Sequence, residues 1–331
     1  MNSRRTSFGL TLPQRGTLFG AATWDQLLEL ARAADRNDLF DSVWIGDSVM
    51  AKPRPESLAL LGALTAATTR VRLGVGCMAS FALREPVMFA EQWATLDFIS
   101  NGRMQLAVCT GIGLGGTSAK EGAVWGVPDS ERGERMTENI TICRRLWSEE
   151  HVSFAGAFRS FVDASVNPRP IQRPCPIWIA ANPRPALSGR PLRRVAEVAD
   201  GWMVAQVWPG LFGALWDKLS KHLTAAGKDP ESFPNVAYHN INVAGDRTSA
   251  LAETRRFLDE YYGPVFSAEQ AEGWTAAGTP AECVEDLNRL IRAGAKAITL
   301  RITGWNQNEQ FNRIATEVLP YVDSQPPSGS L

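Results

Sequence analysis

Short apolar, β-branched runs alternate along this chain with longer stretches of helical period. Eight runs read as strands, at residues 8–12, 42–45, 71–76, 104–109, 177–180, 201–205, 236–243 and 297–302. They are near-continuous rather than alternating apolar and polar, the pattern of parallel strands buried on both faces. Between them, apolar side chains recur every three or four residues. Trp24, Leu27, Leu28, Ala31 and Ala34 share one helical face, as do Phe89, Trp93 and Leu96. The same spacing joins Met136, Ile140, Cys143 and Trp147, then Phe212, Leu215, Trp216, Leu219 and Leu223, then Val284, Leu287 and Ile291. Thr279-Pro280 has the form of an N-cap followed by a first-turn proline.

Eight strand-then-helix units predict an α/β fold, a (β/α)8 TIM barrel. An open doubly wound sheet is the rival, but it would carry a G-x-G-x-x-G turn after its first strand, and "TLPQRG" stands there instead. The units are unequal. The fourth strand is followed by a long helix near 131–149 and then by "VSFAGAFRSFVDASVNPRPIQRPCP", whose aromatics, glycine and prolines predict a non-helical insertion over about 150–175. Such an insertion lands on the C-terminal mouth of the barrel, where active sites lie. The expectation is one domain over residues 1–322 with a disordered tail at 323–331.

Composition narrows the class. The chain has 331 residues, 44% hydrophobic and 21% charged, and a net charge of −1. No basic surface for nucleic acid and no polybasic membrane patch is expected. No apolar run is long enough for a membrane span, and the first residues lack the apolar core of a signal peptide. Five cysteines without a C-x-x-C pair and three histidines without ligand spacing predict a cytoplasmic, reduced protein with no metal site.

The chemistry concentrates at strand ends. The stretch "GRMQLAVCTGIGLGG" runs from a strand into bare backbone. Glycine there lets a flat ring come close where a side chain would block it; a plain glycine-rich loop is the alternative. Further blocks follow one another in order. They are "DSVWIGDSV", "REPVMFAEQWATLDFISNGRMQLAVCTGIG", "ERMTENITICRRLWSEEHVSFAG", "NPRPIQRPCPIWIAA", "LRRVAEVADGWM" and "GTPAECVEDLNRLIRAGAKAITLR". Together they resemble the bacterial luciferase-like family of flavin-dependent oxidoreductases, whose members use reduced FMN with oxygen or the deazaflavin F420.

The resemblance implies a site. At the second strand's end, Asp47 and Ser48 would meet the flavin edge, where several F420 enzymes have histidine at the second place. A capping or turn role is the alternative for both. Gly76 and Cys77 would carry a bulge behind the ring, often with a cis peptide. A reactive thiol at Cys77 is the sharper reading and packing the favoured one. Thr110 and Gly111 would lie beside the pyrimidine edge, and Ile112 stands where F420-linked sugar-phosphate enzymes have an acidic residue. Ala181, Asn182, Ser188, Gly189 and Arg190 would hold the phosphate, with Arg193 and Arg194 read as a solvated face. Gln206, Trp208, Tyr238 and Trp305 are nominated for substrate. His239 is nominated as a base, with a satisfied structural histidine as the alternative. Arg301 is nominated to hold an oxyanion or flavin peroxide. Phe154, Phe158 and Phe161 would roof the site or make a small core of their own.

The function expected from this is an FMNH2-dependent monooxygenase acting on a small organic substrate, with FMN reduced by a separate flavin reductase. F420-dependent hydride transfer without oxygen is the alternative, and a non-catalytic flavin-binding subunit the second. Eleven tryptophans and outward-facing helices suit a homodimer.

Overall fold

A computed structural model describes residues 6–111, 117–181 and 189–323. Its strands are β1 (Ser7–Thr11), β2 (Ser42–Ile45), β3 (Arg72–Met78), β4 (Met104–Val108), β5 (Val152–Ala155) and β6 (Ser160–Ala164), followed by β7 (Ile177–Ala180), β8 (Trp202–Ala205), β9 (Asn235–Val243), β10 (Thr275–Gly278) and β11 (Ala297–Ile302). The main helices are α1 (Trp24–Arg36), α2 (Ser57–Ala67), α3 (Pro86–Ile99), α4 (Thr117–Val124), α5 (Arg132–Ser148) and α6 (Gly189–Val198), then α7 (Pro209–Ala225), α8 (Arg247–Tyr262), α9 (Ala268–Gly273), α10 (Pro280–Arg292) and α11 (Gln307–Arg313).

Eight of the strands pair in parallel in the order β9-β11-β1-β2-β3-β4-β7-β8, and β8 pairs back onto β9 to close the cylinder. This is the expected TIM barrel. Its walls are positioned by capped helices. Thr23 accepts from the Gln26 N–H at 3.2 Å while the Gln26 side chain accepts from the Thr23 N–H at 2.8 Å. Thr279 and Glu282 repeat the reciprocal cap at the start of α10. Each such cap contributes about 1 kcal/mol.

Two features depart from the sequence reading. Thr275–Gly278 forms a strand that the sequence did not announce, because "TAAG" carries no bulky apolar residue. It pairs with Asn240 to Val243 of β9, above the stretch Asn235 to Tyr238 that pairs with β8. The long strand β9 therefore has β11 along one edge, and along the other edge β8 in the barrel and then β10 at the mouth. The segment after α5 is not irregular throughout: β5 and β6 make an antiparallel hairpin. Phe154 and Phe161 stack at 6.0 Å between its strands, and the Arg135 guanidinium lies 4.5 Å from the Phe158 ring. None of the three phenylalanines lines the cavity at the mouth, and Phe154 and Phe161 pack against the main core, so they make no roof.

The barrel interior is plugged by side chains. Trp44, Ala107, Met203 and Val236 pack together there, with Trp178, Ala180 and Ala297 against them. The Trp44 indole lies over bare backbone. A side-chain carbon at Gly9 would sit 2.9 Å from its Cδ1, and one at Gly74 would collide with the ring. Gly201 gives Trp178 the same clearance, at 2.6 Å. The larger core lies outside, between strands and helices. Among the described residues no helix is long and apolar enough to cross a membrane.

Candidate active site

Above the plug, the C-terminal strand ends enclose a cavity of about 460 Å³, within the range of small-molecule and cofactor sites. Its floor is made by Gly76 and Cys77 of β3, Ile179 and Ala180 of β7, and Met203 of β8. The Gly76-Cys77 peptide is cis, and the β3–β4 register shifts around it. Cys109 follows β4 and also faces the cavity, beside Cys77.

The bareness of Gly111 has a cause within the protein. It adopts φ +69°, and a side chain there would collide with the Ala79 carbonyl and crowd the Arg132 guanidinium. The expectation that this glycine serves ring approach is corrected: the chain itself occupies that space. Thr110 and Gly111 line the cavity, while Ile112 and the glycines after it lie outside the described residues.

At the end of β2, Asp47 is a structural tie as well as a wall. Its Oδ1 accepts from the Ser57 hydroxyl at 2.7 Å and its Oδ2 from the Ser80 N–H at 2.7 Å, with Arg84 at 3.3 Å. Ser48 accepts from the Lys52 N–H at 2.9 Å. The loop that follows is clamped from α4, where Glu121 accepts from the Val49 and Met50 N–H groups at 2.9 Å each. Glu121 is itself buried against Arg132 at 3.6 Å. So held, the loop turns Lys52 and Arg54 into the cavity. The Lys52 ammonium sits 4.8 Å above the Tyr262 ring. Burial, and then the Arg54 charge, lower its pKa from 10.5. The Arg54 guanidinium lies over Gly46, where a side chain would collide with it, and 5.7 Å from the Tyr261 ring. These two cations carry no signal in the sequence beyond their position after a nominated strand end.

The opposite wall is aromatic. Tyr238 of β9, Tyr261 and Tyr262 of α8, Phe266 and Trp274 line it. Burial pushes the Tyr238 hydroxyl up. Arg301 is fully buried behind this wall rather than in the cavity. It donates to Asn240 Oδ1 at 2.9 and 2.7 Å and to the Tyr262 hydroxyl at 2.6 Å, and four rings surround its guanidinium at 4.8–5.3 Å. Its nomination as a direct oxyanion contact is therefore corrected: the Tyr262 hydroxyl stands between it and the cavity. His239 is likewise corrected. It neighbours Tyr238 on β9, and side chains alternate along a strand, so it leaves the barrel on the other face. It is 2% exposed, Nδ1 has no hydrogen-bond partner among the described residues, and burial lowers its pKa from 6.5 to about 3. A neutral imidazole shut away from the cavity cannot serve as its base.

The third wall comes from α4, α5 and α6. Ala181, Glu134, Arg190 and Arg194 line it, with Arg190 donating to Glu134 at 2.8 Å. Arg194 belongs to this wall and not to a solvated face; Arg193 points out and pairs with Glu197 at 3.8 Å. Gly189 opens α6 at an exposed position, and Asn182 and Ser188 lie outside the described residues. Of the substrate nominees, Gln206 lines the cavity in a left-handed conformation, φ +58°. Trp208 precedes α7, half exposed and off the cavity. Trp305 is also displaced: it packs edge-on to Phe257 at 5.6 Å and under Arg256 at 4.5 Å, in a separate aromatic cluster.

The family model for luciferase-like monooxygenases matches residues 6–297. An F420-dependent glucose-6-phosphate dehydrogenase from Amycolatopsis mediterranei is 27% identical, over 89% of this chain and 93% of its own. One from Segniliparus rotundus is 32% identical, over 85% of this chain and 89% of its own. Among solved structures, an F420-dependent secondary alcohol dehydrogenase superposes with a TM-score of 0.82 at 19% identity, covering 96% of this chain and all of that one. A monooxygenase from Streptomyces bottropensis does so with a TM-score of 0.79 at 23% identity, covering 95% and 99%; at these identities both show the fold alone. The expectation of an FMNH2-dependent monooxygenase is overturned by the relatives, which are dehydrogenases dependent on F420. The chain is an oxidoreductase of the flavin and deazaflavin kind, and it belongs to the luciferase-like monooxygenase family.

Proposed function

We propose that this protein is an F420-dependent oxidoreductase that moves a hydride between the deazaflavin and a small organic substrate without oxygen. The observation that carries the reading is that relatives named for this cofactor align with the chain over 85–89% of its length. The site's chemistry fits a deazaflavin. The floor offers an apolar surface to a ring face, Thr110 and Gly111 offer backbone polar groups to its edge, and Arg190 and Arg194 offer cations to a phosphate. The cofactor, when bound, supplies the two-electron hydride chemistry.

What remains for the chain is binding, water exclusion and one proton. Oxidation of an alcohol carbon requires a group to take the hydroxyl proton. Ser48 holds the place where several F420 enzymes have histidine, and its oxygen is engaged by the Lys52 N–H. In our reading Lys52 takes this proton: it faces the cavity, burial and Arg54 favour its neutral form, and among the described residues no carboxylate pairs with it. The Tyr262 hydroxyl accepts from Arg301, which leaves its own proton to donate to the substrate oxygen. Substrate contacts from Gln206 and Tyr238 belong to the same reading, as does a homodimer. The separate flavin reductase goes with FMN chemistry and has no part in it.

The test is a comparison of F420 with FMN on one preparation. Binding is read by fluorescence quenching. Turnover is read by anaerobic F420 reduction across a panel of alcohols and sugar phosphates, and by oxygen uptake with FMNH2. F420 is expected to bind more tightly and to be reduced by at least one substrate class, with no oxygen uptake above the protein-free rate. Tighter FMN binding together with oxygen consumption would overturn the reading, and F420 binding without turnover across the panel would leave a binding protein in its place.

A further inference from the structure

The five cysteines divide into two groups. Cys143, Cys175 and Cys283 are buried in the core, where desolvation pushes their thiols up, Cys283 to about 12. Such thiols are inert. Cys77 and Cys109 instead stand side by side in the cavity wall, and each is only partly buried. The strand register brings them together. Gly76 pairs with Ala107 and Met78 with Val108, so Cys77 occupies the bulge between those pairs. Cys109 follows directly, and its N–H donates to the Met78 carbonyl at 3.2 Å. Both side chains line the same cavity, and each thiol shifts the ionisation of the other.

From this geometry we infer that Cys77 and Cys109 form a peroxide-oxidisable dithiol in the floor of the cofactor cavity, closing reversibly to a disulfide. The pair is asymmetric in the way such chemistry needs. The neighbouring Cys77 thiol lowers the Cys109 pKa first of all, burial opposes this, and the Gly111 N–H adds to it. The same thiol contact, then burial, raises Cys77. The charged groups facing both are Asp47, which disfavours a thiolate, and Lys52, which favours one.

Cys109 is thus the attacking sulfur and Cys77 the resolving one. The Cys109 thiolate attacks one oxygen of hydrogen peroxide. An S–O bond forms, the O–O bond breaks, and the leaving hydroxide takes a proton to become water. Cys77 then gives up its proton and attacks the sulfenic sulfur. The S–S bond forms, the S–O bond breaks, and a second water leaves. Two thiols and one peroxide become one disulfide and two waters, the sulfurs losing the two electrons that the peroxide gains.

The test uses the intact protein treated with hydrogen peroxide and mapped by non-reducing peptide mass spectrometry. The expected product is one intramolecular link between the Cys77 and Cys109 peptides, lost on treatment with dithiothreitol, with Cys143, Cys175 and Cys283 still free. In untreated protein, iodoacetamide should modify Cys109 on the order of tenfold faster than those three. Cys77→Ser should convert the product from a disulfide to oxidised Cys109, and Cys109→Ser should abolish the reaction at the same peroxide dose. A link between any other pair, or a Cys109 no more reactive than the buried three, would overturn the inference. The alkylation comparison needs no variant to fold.

Discussion

Lys52 owes its position to a residue far away in the chain. A Lys-Pro-Arg sequence in a loop reads as solvent-facing, and only the clamp by Glu121 turns it inward. Once there, burial and Arg54 both favour the neutral amine. The sign of the pH effect follows. In the proposed function the amine is the proton acceptor, so alcohol oxidation should rise with pH through a midpoint below 10.5. Carbonyl reduction needs the ammonium and should fall through that midpoint. Lys52→Met keeps the stem length and removes the titrating group. Steady-state kinetics should give turnover lower by about 10²–10³-fold with the limb gone, while F420 affinity stays near that of the parent. A variant that keeps both rate and limb would move the proton to another residue. At this scale the sequence was partly legible. Asp47, Cys77 and Thr110 stand at ends of apolar runs and Tyr238 within one, and all four line the cavity. Arg301 is hidden behind the rings of Tyr261, Tyr262 and Trp274, and His239 lies on an equally apolar strand, but which face a strand residue takes depends on pairing. That is not written in a run apolar on both sides.

Among elements, the strands of the barrel are shaped by two tryptophans. Trp44 and Trp178 fill the interior, and Gly9, Gly74 and Gly201 are small because those rings lie over them. A methyl group at Gly74 has only the Trp44 ring to meet. Gly74→Ala should therefore destabilise the protein by about 1–3 kcal/mol, read as a lower denaturant midpoint. Gly62→Ala is the control: the space around Gly62 on α2 is open, and the change should be neutral or stabilising by up to about 1 kcal/mol. Equal losses at both positions would remove the argument. Helix faces and three strand boundaries, those of β2, β7 and β11, follow directly from period and branching. The strand β10 does not, since its four small residues hold their place by pairing with β9 rather than by burial of bulk.

For the whole molecule, closure joins the chain's first strand to its last: β1 pairs with β11 over five positions. The outer surface then decides association. Met88, Phe98 and Ile99 stand out from α3 at 59%, 52% and 54% exposure, exposed apolar side chains of the kind that an interface covers. We expect light scattering to give twice the chain mass, and Phe98→Glu with Ile99→Glu to halve it. A wild-type protein of single-chain mass would exclude the dimer. Closure was legible because it needs only a count of strand–helix units, whereas the aromatic wall of the mouth was not, because it depends on what β9 does beyond the barrel. Along one edge that strand gives its lower half to β8 and its upper half to β10, and residues of the chain between β9 and β10, Tyr261, Tyr262, Phe266 and Trp274, ride on the detour. If the proposed function holds, the aromatic side of the chamber can thus drift in sequence while the floor beneath it stays in register, so that a change of diet need not be a change of cofactor.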